Sequence, residues 1–214
     1  MTSRRRRYSC ILLTIPLLGA SAWGEDAGKM LDQLQKKYDS IRDASVAFTQ
    51  HVRFGVMKSE QTFAGRFTMK KGNKYRIETE DQTIATDGKS VWSYSKATNQ
   101  VVIDKYREDP RAFSPDRILT NVPKNYAATV LGKDTVGLLE TSILKLIPKD
   151  SKSNLKWMKV WVDQNEWLMR RVQVLDVSDN LTTYTVSDIR LNGNMAEDQF
   201  QLIPPKDAEV IDLR

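Results

Sequence analysis

The chain has 214 residues, 28% charged and 40% hydrophobic, with a formal charge of +6, one cysteine and one histidine. That length supports one domain with a substantial core. A lone Cys10 and a lone His51 exclude an internal disulfide and any zinc site built from thiolates and imidazoles.

Arg4 to Arg7 form a basic region, Ile11 to Leu18 an apolar run, and Ala20-Ser21-Ala22 a small-residue end. That is the layout of a cleaved secretory signal, and the run falls short of the about 20 residues that span a bilayer. Residues 1–24 are expected to be removed by cleavage between 22 and 25, leaving 25–214 as one exported, periplasmic domain. Ser21 stands where a lipoprotein signal needs cysteine, so no lipid anchor is expected. Loss of four leader arginines leaves 29 of the 33 basic side chains against 27 acidic ones, a charge of +2. A surface so nearly balanced gives no electrostatic case for nucleic acid as a partner.

Asp26 to Arg42 reads as an amphipathic helix, with Met30, Leu31, Leu34, Tyr38 and Ile41 three or four apart and Asp26 at its start. Ala44 to Phe54 is a strand with Val46, Phe48, Gln50 and Val52 on one face. From Glu60 to Lys105 a meander follows, with Phe63, Gly65, Phe67 and Met69 sharing a face and Tyr75 and Ile77 on the return strand. Asp87-Gly88 predicts a type I′ hairpin turn. Ser114-Pro115-Asp116 opens a short helix carrying Ile118 and Leu119. Strands resume at Tyr126 to Leu131, Val136 to Ile147 (ambiguous with helix), Leu155 to Val162, Trp167 to Leu175 and Thr182 to Leu191. The tail around Val210 returns to a sheet edge. Ten or eleven strands so evenly spaced predict a large antiparallel sheet curled into a barrel or half-barrel, with the few helices as its cover.

Catalytic chemistry is sparse. No nucleophile elbow, phosphate loop, dinucleotide fingerprint, calcium loop or paired carboxylates occur. His51 sits inside a strand pattern and reads as an ordinary side chain. An enzyme is not expected, nor a metal or cofactor. Aromatics and methionines on the sheet suit either a filled core or an adaptable apolar pocket. Arg66, Lys70, Lys71, Lys74 and Arg76 flank one turn, which suits a solvated surface, anionic headgroups or an acidic partner.

After the helix come Ser45-Val46-Ala47-Phe48-Thr49-Gln50, Gly65-Arg66-Phe67, the run Lys70 to Arg76, and Asp87-Gly88-Lys89-Ser90-Val91-Trp92-Ser93-Tyr94. Phe200 to Pro205 closes the series. In this order they resemble the LolA family of periplasmic outer-membrane lipoprotein carriers, across nearly the whole exported chain. The resemblance implies a mainly β fold with a few helices (α+β), an incomplete antiparallel barrel of about 11 strands with a helical lid over a hydrophobic cavity. It further implies a monomeric, non-catalytic carrier that takes acylated lipoproteins from an ATP-driven inner-membrane transporter to an outer-membrane acceptor. Under it, Phe48, Phe67, Met69, Tyr75, Ile77, Trp92 and Tyr94 are the expected cavity wall, and Leu31, Leu34, Ile118 and Leu119 the lid. Lys71, with Lys70 and Lys74, is the expected handoff contact. Two departures stand out: Lys71-Gly72 replaces the family's arginine before proline, and Tyr75 and Ile77 replace its Phe and Trp. The alternative is a lipid- or lipoprotein-binding sensor on the same fold, without transport.

Overall fold

A computed structural model describes residues 22–107 and 122–214. The leader up to residue 21, the Ser114-Pro115 helix start, Ile118 and Leu119 lie outside the described residues.

Twelve strands build one sheet. β1 (Asp43–Arg53), β2 (Glu60–Lys70), β3 (Lys74–Thr79), β4 (Gln82–Asp87), β5 (Ser90–Ser95) and β6 (Gln100–Lys105) form the first meander. β7 (Tyr126–Val136), β8 (Leu139–Pro148), β9 (Leu155–Asp163), β10 (Leu168–Asp176) and β11 (Leu181–Leu191) form the second. Central β1 joins them by pairing with both β2 and β11. The order is β12-β6-β5-β4-β3-β2-β1-β11-β10-β9-β8-β7, where β12 (Glu209–Asp212) lies parallel to β6 and every other pair is antiparallel. The sheet is open between β12 and β7, so the barrel is incomplete. The ambiguous Val136–Ile147 stretch is strand: Gly137, at φ 62°, turns the chain between β7 and β8. A left-handed backbone there suits glycine.

Helix α1 (Ala22–Ser40) starts four residues ahead of the expected Asp26, which lies inside it. Ala27, Met30, Leu31 and Leu34 recur at helical spacing and pack on Leu144 and Leu146 of β8, Met158, Val160 and Val162 of β9, and Val172 and Val174 of β10. The Tyr38 hydroxyl accepts the Met169 N–H at 3.0 Å, and burial pushes its pKa up to about 12. A buried tyrosine with its oxygen engaged fixes where the helix sits on β10. The short helix α2 (Val122–Asn125) leads into β7 beside α1.

The β4–β5 hairpin differs from its expected form. Its two loop residues are Gly88 and Lys89, and only Gly88 has positive φ, at 87°. Gly at the first central position is the II′ pattern rather than I′. Asp87 instead turns the chain with its side chain, accepting the Lys89 and Ser90 N–H groups at 2.8 and 2.9 Å. A Cβ on Gly88 would come within 2.5 Å of the Gly72 carbonyl oxygen, so the two neighbouring turns pack backbone to backbone.

Candidate functional site

Directly opposed residues of an antiparallel pair share a face, so the register assigns every side chain to the α1 face or the outer face. Phe48 opposes Gly65, Phe67 opposes Ile77, and Met69 opposes Tyr75. Ile77 then opposes Ile84, Ile84 opposes Ser93, and Ser93 opposes Val102. Five of the seven expected wall residues, Phe48, Phe67, Met69, Tyr75 and Ile77, therefore lie together on the α1 face. The Phe67 and Tyr75 rings meet at 6.4 Å between centroids, tilted by 32°. Ile84, Val91 and Val102 extend the strip across β4–β6, three positions the sequence reading did not assign. Val91 enters through its pairing with Thr86, which opposes Tyr75.

Gly65 makes room in this strip. A Cβ there would come within 2.2 Å of the Glu78 carbonyl oxygen and 3.0 Å of the Phe48 ring. The Phe48 ring thus lies over bare backbone.

Trp92 and Tyr94 belong elsewhere, and here the register corrects the expectation. They oppose Ala85, Ile103, Thr83 and Val101, which places them on the outer face. The C-terminal segment covers them: Leu202 and Ala208 pack with Trp92, Tyr94, Ala85, Val101 and Ile103. Asn99 fastens the cover, accepting the Tyr94 hydroxyl at 3.2 Å and donating to the Asp207 carbonyl at 2.8 Å.

Leu31 and Leu34 of the expected lid are 4% and 5% exposed and face the sheet. Their contacts are with β8–β10, while the strip crosses β1–β6. Where the two regions meet, Tyr38 of α1 and Met69 of β2 pack on one small cluster of Ile41, Ala44 and Leu168. Apart from Met69, the strip residues join none of the three apolar clusters among the described residues, and all but Phe67 are only part-buried. Half of the α1 face is a closed core and half is an apolar wall with surface to spare.

The three expected handoff lysines are all engaged. Lys71 Nζ donates to the Asp39 carbonyl at the end of α1, at 2.7 Å. Lys70 and Lys74 both hold Glu197, Lys70 at 2.7 Å, and Lys70 also donates to the Met195 carbonyl at 2.8 Å. Hydrogen bonds from these two ammonium groups pull the Glu197 pKa down to about 2. Arg66 pairs with Asp188 at 2.8 Å and Arg76 with Glu78 at 2.8 Å. These arginines, with Ser45, Thr68, Arg190, Met195 and Gln199, line an outer-face cleft of about 370 Å³ whose cations are already matched by carboxylates. His51 rests 3.3 Å from Glu60, both side chains well exposed. Among the described residues no three of His, Cys, Asp and Glu gather as metal ligands, and no helix is long and apolar enough to cross a membrane. What the α1 face offers chemically is apolar surface.

Residues 39–203 match the family model described as outer membrane lipoprotein carrier protein LolA. The outer-membrane lipoprotein carrier protein of Actinobacillus pleuropneumoniae serotype 3 is 28% identical over 185 residues, covering 85% of this chain and 83% of that protein. An uncharacterized protein of Methanocaldococcus jannaschii is 25% identical over 191 residues, 87% of this chain; the match spans 54% of that longer protein. Among solved structures, an uncharacterized conserved protein from Thermus thermophilus has the same fold at a TM-score of 0.56 and 17% identity. It aligns over 86% of this chain and 97% of its own.

Proposed function

Because the chain belongs to the LolA family of outer membrane lipoprotein carrier proteins, we propose that its α1-face strip takes up the acyl chains of lipoproteins released from the inner membrane and carries them to the outer membrane. The observation that carries this reading is the strip itself: Phe48, Phe67, Met69, Tyr75 and Ile77 on one face, beside rather than beneath the packed α1 half. Each methylene brought out of water is worth about 0.8 kcal/mol, so a multiply acylated protein needs such a wall to cross an aqueous compartment. A wall whose side chains are mostly only part-buried also lets the chains leave again, which a closed core would not.

In this reading the leader exports the protein to the periplasm, and the processed chain works as a monomer without catalysis or cofactor. An ATP-driven inner-membrane transporter loads it, and an outer-membrane acceptor, where one exists, unloads it. The polypeptide supplies shape and apolar area; the energy for extraction comes from the transporter.

The test is a release assay. Processed protein is added to inner-membrane vesicles or spheroplasts loaded with a tagged outer-membrane lipoprotein, and a soluble one-to-one complex is the expected product. Displacement of a fluorescent fatty acid, run beside it, checks the wall separately. Displacement without a soluble lipoprotein complex would replace transport by lipid sensing on the same fold. No displacement at all would remove the acyl-binding wall.

A further inference from the structure

The C-terminal segment covers the outer face over the β3–β6 half, where its cluster is formed. Across β8–β10 the outer face carries a different pattern. The register sets Lys145 directly opposite Lys159, both half-buried. Opposed like charges weaken an antiparallel pair. The row continues through the uncharged Gln173 and Thr183 to His51, where Glu60 stands 3.3 Å away.

The rows on either side are mostly aromatic and aliphatic, with Arg171 in one of them. Ile143 opposes Trp161, which opposes Arg171; Trp157 opposes Leu175, which opposes Leu181. Lys159 lies 5.1 Å from the Trp157 ring centre, and the Arg171 guanidinium 5.4 Å from that of Trp161. Asp134 is spoken for by Trp161 Nε1 at 2.8 Å and stands 4.0 Å from Arg171. At the rim Ile147 is 47% exposed. The contrast with the β2–β3 basic cluster is sharp, since there Arg66, Lys70, Lys74 and Arg76 each have a carboxylate partner.

From this arrangement we propose that the outer face of β8–β10 docks on a bilayer surface rich in anionic phospholipid. Headgroup phosphates would relieve the Lys145–Lys159 repulsion, since each basic side chain near an anionic membrane is attracted to it. Indole rings favour the headgroup boundary, where Trp157 would sit with its cation. The aliphatic groups decide between a bilayer and an acidic protein or other polyanion. A purely electrostatic partner would leave Ile143, Ile147 and Leu175 wet, whereas the acyl boundary takes them up. This face lies across the sheet from the acyl wall, so docking and acyl binding are separable.

Vesicle sedimentation of the exported protein tests the proposal, with loss of the arginine-rich leader confirmed by mass. Binding is expected to vesicles of phosphatidylcholine mixed with phosphatidylglycerol and not to phosphatidylcholine alone, and to weaken with salt. Lys145→Gln with Lys159→Gln should lower the affinity roughly thirtyfold. That double variant removes a repulsion, so its thermal transition should not fall. Brominated phosphatidylglycerol should quench tryptophan fluorescence, and Trp157→Phe should reduce the quenching. Lys70→Gln, whose ammonium is held by Glu197 of the C-terminal segment, should change neither readout. No sedimentation with anionic vesicles, or sedimentation unaffected by the double variant, would overturn the proposal. Equal binding to polyglutamate, without lipid quenching, would overturn it in favour of an acidic partner.

Discussion

The Lys71 ammonium donates to the Asp39 carbonyl at 2.7 Å, so the β2–β3 turn holds the C-terminal end of α1. Main-chain bonding supports the same joint, since the Lys71 N–H donates to the Arg42 carbonyl at 2.9 Å. The last carbonyls of a helix lack intrahelical partners and carry the negative end of its dipole. A cation there stabilises an exposed helix end by about 0.3–1 kcal/mol. Lys71→Leu is therefore expected to cost about that much in denaturant unfolding, and to speed amide exchange across residues 38–42. Lys71→Arg should keep both near the starting values. Unchanged exchange in Lys71→Leu would show that the main-chain bond alone suffices.

Glu197 gives the C-terminal cover a pH dependence of definite sign. Hydrogen bonds from Lys70 and Lys74 depress its pKa from an ordinary 4.5 to about 2. A carboxylate with a depressed folded pKa stabilises the fold above its unfolded value and loses that contribution as pH falls toward the folded one. Between about pH 4.5 and 2 the Glu197 anchor should weaken. Because the carboxylate is exposed, high salt should weaken it too. Trp92 lies under the cover, so the readout is tryptophan emission against pH. Glu197→Gln should remove the Glu197 part of that acid transition and leave the salt dependence shallower.

The fold was largely legible because its signals are local. Alternation in Phe63–Met69, turns rich in Gly and Asn, and the three-and-four spacing of Met30, Leu31 and Leu34 each name an element without tertiary help. The face of Trp92 was legible too, but only by carrying parity from strand to strand. Two-residue loops pair each odd residue with an even one. Odd Tyr75 and Ile77 therefore face even Thr86 and Ile84, which face odd Val91 and Ser93. Choosing Trp92 and Tyr94 for their size breaks that chain. What was not legible is the cover. Nothing in Phe200–Pro205 states which face it crosses, and the C-terminal partners of Lys70, Lys74 and Arg76 lie more than 120 residues away along the chain. The start of α1 also escaped, since Asp26 resembles a cap whether or not the helix has already begun.

Gly65 should tolerate no side chain. Its missing Cβ leaves room for the Phe48 ring and the Glu78 carbonyl. A methyl group 2.2 Å from a backbone oxygen forces β2 and β3 apart, and overpacking of this kind costs typically about 1–3 kcal/mol. Gly65→Ala is expected to lower the unfolding free energy by that amount, read from the shift of the denaturant midpoint at unchanged slope. Shrinking the ring by Phe48→Leu should recover little, because the nearer clash is with backbone. A neutral Gly65→Ala would mean that the strands separate there at no cost.

The assignment of faces can be tested by paired substitutions. Ile77 opposes Phe67 on the strip, whereas Trp92 opposes Ala85 under the C-terminal cover. A carboxylate placed among apolar groups must be desolvated when an acyl chain lies over it, and that penalty reaches several kcal/mol. Ile77→Asp should thus weaken binding of a fluorescent fatty acid at least tenfold, the equivalent of about 1.4 kcal/mol. Ile77 is part-buried, so the folded state should survive the change with a modest loss. Trp92→Ala should behave in the opposite way. Removing a large side chain from a packed cluster costs about 3–5 kcal/mol of stability, toward the lower end here because Trp92 is itself only part-buried. The fatty-acid affinity of the fraction that remains folded should be unchanged. If Trp92→Ala instead abolished binding in protein that stays folded, the acyl chain would have to reach the outer face, and the wall drawn from Phe48 to Val102 would be on the wrong side of the sheet.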